Sequence, residues 1–296
     1  MMFWRTAIAL GAALWCLALG GGTALQAALG APGGPVSVLS AGSLVSIMEH
    51  GIGPAFTAVT GYRFQGVSAG SVALANQIKG GLRRADVFIS AVPSVNRGLM
   101  GQANGDWVRW YASFATAPLV IGYNPQSRFA ADLKSSAWYG VMTRPGFRLG
   151  RTDPKLDPKG TLTLQFMQKA ADYYHQPDLA ARVLGSDDNP AQVFPEETLV
   201  GRLEAGQLDA GFFYSMEAVQ AKIPYITPPA AIELNAEFTV TVVRDAPNPD
   251  GAVAFVKFLL GAQGRQILRE RGLTVLQPRF AGDARAVPQG LQTIVR

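Results

Sequence analysis

The 296-residue chain is 48% hydrophobic and 16% charged, apolar enough to bury a large core and too apolar for an intrinsically disordered chain. Its net charge of +5 comes from scattered basic residues, which excludes a nucleic-acid-binding stripe and leaves room for a small anion. One cysteine and two histidines remove a disulfide framework, a thiolate metal site and a three-histidine centre.

The chain opens with Arg5 as a single positive charge, an apolar run from Thr6 to about Leu19, three glycines, and small residues around Ala27 to Ala31. Residues 1–31 therefore read as a cleaved signal peptide that would carry away Cys16 and send the mature protein to a periplasm or similar extracytoplasmic space. An uncleaved membrane anchor is the alternative. Trp15 stands where a lipoprotein cut would want a small residue, so Cys16 is not expected to be lipidated.

Beyond the leader, strand-like and helix-period segments alternate, the pattern of an α/β fold with a mostly parallel sheet and crossover helices. Val36–Leu39 predicts a strand, Ala41-Gly42-Ser43 a turn, and Leu44–Glu49 a helix. The arrangement then repeats with a strand over Tyr62–Val67, a Ser68-Ala69-Gly70-Ser71 turn and a helix over Val72–Lys79. A third strand is expected over Ala85–Ser90 and a buried one over Ala117–Tyr123. A polar, turn-rich stretch from Phe147 to Asp157 leads into a helix from about Leu162 to Tyr174. Further along come a helix over Glu196–Ala205, a strand over Leu208–Tyr214, a strand over Glu237–Arg244, and helices over Gly251–Leu260 and Gln263–Arg271.

Two strand, Ala-Gly-Ser, helix units in succession aim Ser43 and Ser71 at the carboxyl ends of neighbouring strands, where open α/β sheets bind ligands. Each turn offers backbone N–H groups, a positive dipole end and a hydroxyl, and together they form a cradle for an anion. The bland alternative is that each serine caps its own helix. Gly66-Val67-Ser68-Ala69-Gly70 also fits the G-x-S-x-G pattern of a hydrolase nucleophile at Ser68, but neither His50 nor His175 stands where a triad would put its base.

Asp153-Pro154-Lys155-Leu156-Asp157-Pro158-Lys159-Gly160 carries two Asp-Pro steps before a helix, as turn formers and an N-cap do. Functionally, the N–H groups at Lys159 and Gly160 would add donors, and Lys159 a positive charge. Tyr214, ending a strand, has a phenolic donor or is a half-buried core residue. Asp187-Asp188 and Glu196-Glu197 are expected to be solvated loop and helix-start acids. Trp107, Trp110 and Tyr111 fit a core edge, a lobe contact or a sugar-stacking face.

Val38–Leu44, Ser68–Ala73 and Ala85–Ala91 together resemble the opening of the molybdate/tungstate-binding proteins of ABC importers, the archaeal tungstate-type branch being nearer. Leu149–Gly160 is similar to that branch's approach to its second-lobe binding turn, and Phe238–Gly272 to a segment common to many solute-binding proteins. The likeness spans roughly Val36 to Pro278. It implies a two-lobed periplasmic binding protein of type II, each lobe a mostly parallel sheet flanked by helices, with the ligand in the cleft. Residues 32–116 and 228–296 would form one lobe and 117–227 the other.

By position, the resemblance assigns Ser43 and Ser71 to the first-lobe donors and Asp157, Lys159 and Gly160 to the second-lobe turn. It places Tyr214 near a family tyrosine and Glu217 near a second carboxylate. It further implies a monomer that delivers a small oxyanion to an importer permease, with no catalytic residue, cofactor, resident metal or nucleic-acid partner. Two departures matter. Lys159 replaces a small residue of the Asp-Pro-Cys-Gly or Pro-Ala-Gly turns, and Thr161 replaces an aromatic. Sulfate, phosphate or an organic solute therefore stand beside molybdate and tungstate, with the Ser68 hydrolase as the enzyme alternative. Lys159 either enters the pocket or swings into solvent.

Overall fold

The computed structural model describes residues 33–135 and 137–294, so the expected signal peptide and Cys16 lie outside the described residues. Among the described residues nine strands are formed: β1 (Pro35–Ala41), β2 (Arg63–Ala69), β3 (Val87–Ser90), β4 (Trp110–Tyr123), β5 (Leu149–Gly150), β6 (Ala210–Tyr214), β7 (Tyr225–Ile226), β8 (Asn235–Val242) and β9 (Thr274–Gly282). They pair in the order β2-β1-β3-β8-β4-β6-β5, with β7 and β9 also paired to β4.

The connections between the parallel strands carry helices, as a parallel crossover requires. β1 runs parallel to β2 and β3 in this way, with the helices Gly53–Thr60 and Ser71–Lys79 filling the connections. Gly61, at φ +76°, ends the first of these helices in a left-handed cap that a residue with a Cβ rarely adopts. β5 likewise runs parallel to β6.

The sheet as a whole is mixed, because two strands reverse the direction. β8 lies antiparallel to β3 and β4, and β4 lies antiparallel to β6, β7 and β9. The fourteen-residue β4 is shared between two halves. Trp110–Thr116 pairs with β9, and β8 follows β4 as far as Pro118; from Leu119 onward the partners are β6 and, at Ile121 and Gly122, β7.

Each half has its own aromatic packing. Phe56 meets Phe255 edge-on at 5.1 Å between centroids in the first, and Phe166 meets Phe212 at 5.8 Å in the second. Full burial of such a ring favours the fold by about 1.5–3 kcal/mol. Tyr214 packs edge-on against Phe238 of β8 at 5.9 Å, so a second-half residue rests on a strand that also serves the first half.

The halves meet at the carboxyl ends of β1 and β2. The Ala73 N–H donates to the Leu156 carbonyl at 3.0 Å, and a Cβ on Gly70 would stand 2.5 Å from that same oxygen. The structure is a closed form, in which backbone touches backbone across the cleft.

Candidate functional site

Both Ala-Gly-Ser turns sit at this junction, and neither serine caps its helix. Ser43 belongs to a short 3-10 turn, Gly42–Leu44, that leaves β1. Its hydroxyl is buried and has no hydrogen-bond partner among the described residues. Ser71 is the first residue of its helix behind Gly70, and its Oγ accepts the Ala91 N–H at 3.1 Å. The proton of that hydroxyl remains free to be donated.

The second half supplies the helix Pro158–Tyr173. Asp157 caps it, accepting the Lys159 N–H at 2.9 Å and the Thr152 hydroxyl at 2.9 Å through Oδ1, and Pro158 occupies the first turn, where a missing N–H costs nothing. The Ser71 N–H also faces this carboxyl, which brings the second-half turn next to the first-half one. Gly160 is required by packing. A Cβ there would stand 2.5 Å from the Thr152 carbonyl oxygen and 2.6 Å from the Pro154 nitrogen.

Lys159 turns inward, which settles the choice left by the sequence. It is fully buried. Its Nζ meets both oxygens of Glu217 at 2.8 Å and Glu196 Oε1 at 3.0 Å, and it lies 5.1 Å from the centre of the Tyr214 ring. Burial works against the ammonium's charge, but Glu196, Glu217 and Asp157 outweigh it and hold the lysine pKa above its ordinary value.

Tyr214 ends β6, and its buried hydroxyl has no partner among the described residues. Burial, then the surrounding carboxyls of Asp157, Glu196 and Glu217, push the phenol well above its usual range, so the group keeps its proton and remains a donor. Glu217 accepts the Tyr214 backbone N–H at 2.8 Å, which fixes the carboxylate under the lysine.

Glu196 is the residue that sequence reasoning missed. It was expected to be a solvated helix-start acid, yet it is buried, whereas its neighbour Glu197 is exposed, as are Asp187 and Asp188. Tertiary contacts bring it in. Arg151, also fully buried, donates to the Ser186 and Asp187 carbonyls at 2.6 and 2.7 Å and to the Gln192 side chain at 3.2 Å. Backbone bonds on both faces of Arg151, to Gln192 and Phe194, then dock the segment that delivers Glu196. The one sequence signal for this acid was Lys159 itself, because an ammonium, if buried, needs a carboxylate partner.

The arrangement is a polar chamber closed between two α/β halves. Residues 36–274 match the sequence profile of the family described as bacterial extracellular solute-binding protein.

This chain belongs to that solute-binding protein family. A relative from Petrotoga mobilis, an uncharacterized solute-binding protein, is 32% identical over 245 residues, covering 72% of this chain and 75% of its own. The molybdate/tungstate-binding protein of Thermococcus kodakarensis is 28% identical over 266 residues, covering 74% of each chain. The periplasmic molybdate-binding protein of Azotobacter vinelandii shares the fold with a TM-score of 0.63 at 18% identity, over 82% of this chain and 100% of that one. The two-lobed architecture of type II periplasmic binding proteins is thus the architecture of this solute-binding protein.

Within it, the side chains of Lys159, Glu217 and Glu196 bond directly. Asp157 and Ser71 meet across the cleft, and Ser43 lines one cavity with Glu196 and Glu217. The aromatic trio lies elsewhere. Trp110 stacks on Phe280, the buried Tyr111 accepts a bond from Arg97, and Trp107 packs on the core around Leu99. Ser68 lies on β2 with its hydroxyl bonded to that of Ser40 at 2.9 Å, and both histidines are exposed and make no bond to it.

Proposed function

We propose that this solute-binding protein captures a small tetrahedral oxyanion of the molybdate or tungstate kind and presents it to the permease of an ABC importer. Export by a cleaved leader belongs to the same proposal, as does a division into lobes at 32–116 with 228–296 and at 117–227. The observation that carries the reading is the pair of unpartnered, buried hydroxyls of Ser43 and Tyr214 in the chamber that also holds Lys159. Buried donors without partners are costly, and a ligand rich in acceptors removes that cost. The names of the molybdate- and tungstate-binding relatives point to the same ligand class.

Each element has a part in this reading. Ser43 and Ser71 supply hydroxyls and the N–H groups of their turns, Tyr214 a phenolic donor, and Lys159 the positive charge. Asp157 and Gly160 hold the second-lobe turn in place, and Glu217 anchors the lysine. Hydrogen bonds to an ionised acceptor are about twice as strong as neutral ones, and exclusion of water by closure strengthens them further. The anion then shifts an open–closed equilibrium by its preference for the closed form.

A melting-temperature panel with molybdate, tungstate, sulfate and phosphate tests the proposal, since a ligand specific to the native state raises the transition by mass action. A rise with molybdate or tungstate supports it, a rise with sulfate or phosphate alone reassigns the anion, and no rise with any of the four refutes it. Trp110 and Tyr111, held in the core, offer no stacking face for an organic solute in the cleft.

A further inference from the structure

Three carboxyl groups surround one ammonium in the chamber, and they do not share it equally. Asp157 accepts from the Lys159 N–H and the Thr152 hydroxyl and faces the Ser71 N–H. Glu217 takes Lys159 Nζ on both oxygens and the Tyr214 N–H as well. Glu196 has Lys159 Nζ on Oε1 and, among the described residues, no partner on Oε2, although that oxygen is buried. Its bare oxygen points at Gly42, beside the unpartnered Ser43 hydroxyl, along a cavity of about 250 Å³ that Gly42, Ser43, Glu196 and Glu217 help to line. Fully ionised, three carboxylates against one ammonium would leave the chamber negative and repel the anion proposed above.

We propose that Glu196 carries a proton in the closed cleft and serves, through Oε2–H, as a further neutral donor to the bound oxyanion beside the hydroxyls of Ser43, Ser71 and Tyr214. The inference rests on the oxyanion reading; a proton on Glu196 lessens the negative charge of the chamber and turns its bare acceptor oxygen into a donor. The groups facing Glu196 are Lys159 and Asp157 from the second-lobe helix and its cap, Glu217 from the helix Ser215–Gln220, and Tyr214 from β6; Gly42–Leu44 brings no charge. Of the three carboxyls, Glu196 has the fewest donors holding it ionised, and it is also the one that burial pushes well above the ordinary carboxylate range. Oε1 accepts from the lysine as a carbonyl oxygen does, which leaves the proton on Oε2.

The test is a difference infrared spectrum of the full-length mature protein with and without molybdate, in wild type, Glu196→Gln and Glu217→Gln, with calorimetry on the same samples. A protonated carboxylic acid has a C=O stretch separate from carboxylate bands. The expected result is that molybdate shifts such a band in wild type, that the band persists in Glu217→Gln, and that it is lost in Glu196→Gln. Wild-type binding without a carboxylic-acid band, or a band that vanishes with Glu217→Gln instead, overturns the proposal. The wild-type spectrum decides against it alone, even where a variant fails to fold. No heat with molybdate, tungstate, sulfate or phosphate from any sample would instead refute the oxyanion reading.

Discussion

The Glu196 carboxylate rests directly on the α-carbon of Gly42, in the space that a side chain at position 42 would need. The Gly42 turn and the Glu196 acid thus fit together only because Gly42 has no Cβ. Gly42→Ala should leave each lobe folded and prevent full closure. Small-angle scattering with saturating molybdate is expected to show wild type contracting and the variant remaining expanded. Gly70→Ala should act alike, since its Cβ would stand 2.5 Å from the Leu156 carbonyl oxygen.

Lys159→Met should be costly at neutral pH. It removes the cation shared by Glu196 and Glu217 while keeping the volume, and loss of one partner from a buried ion pair costs about 3–5 kcal/mol. Urea unfolding measures it. The deficit should shrink in acid, where the stranded carboxyls take up protons.

The Asp209 carboxylate lies outside the chamber and gives a control of opposite sign. Burial alone would raise its pKa, but the Arg148 side chain and backbone N–H and the Ser127 hydroxyl outweigh it and hold the group below the ordinary carboxylate range. Its contribution is therefore present above the unfolded-state pKa of about 3.8 and is lost as pH falls through the lower folded value. Asp209→Asn should destabilise by about 2–3 kcal/mol at neutral pH, the scale of hydrogen bonds to a charged group. The difference from wild type should narrow at low pH in the same urea titration.

The chamber carboxyls run the other way. Burial raises Glu196, Glu217 and Asp157 above their ordinary values, so the folded state holds protons that the unfolded chain has released. Stability of the ligand-free protein should decline as pH rises from the ordinary carboxylate range toward those raised values. Glu196→Gln should flatten that slope, which urea midpoints at successive pH values will register.

The two serine turns were legible because their signals are local: a strand, a small-residue bend and a helix start within about ten residues, twice over. Lys159 was legible as an anomaly in a binding turn, but its direction depended on Glu217 and Glu196, which lie 58 and 37 positions further on and meet it only in the folded protein. Glu196 reads locally like any acid at a helix start, and only the docking of its segment on Arg151 buries it.

Among the elements, β4 was foreseen only from Ala117 to Tyr123. Its first half, Trp110–Thr116, mixes polar Ser113 and Thr116 with aromatics and carries a register irregularity between Ser113 and Ala115. The strand β9 went unforeseen because Gln277, Pro278 and Arg279 interrupt its apolar residues, which an edge strand tolerates and a central one does not. The mixed character of the sheet follows from β4 and β8, whose partners are too distant in sequence for pattern to reveal.

Calorimetric titration of the mature protein with molybdate, beside a variant combining Ser43→Ala and Tyr214→Phe, tests the central claim most directly. Saturable binding near one anion per chain is expected in wild type. The double variant should bind more weakly by about 3–6 kcal/mol if each lost bond to the charged ligand contributes about 1.5–3 kcal/mol. Equal affinity in both proteins would contradict the account.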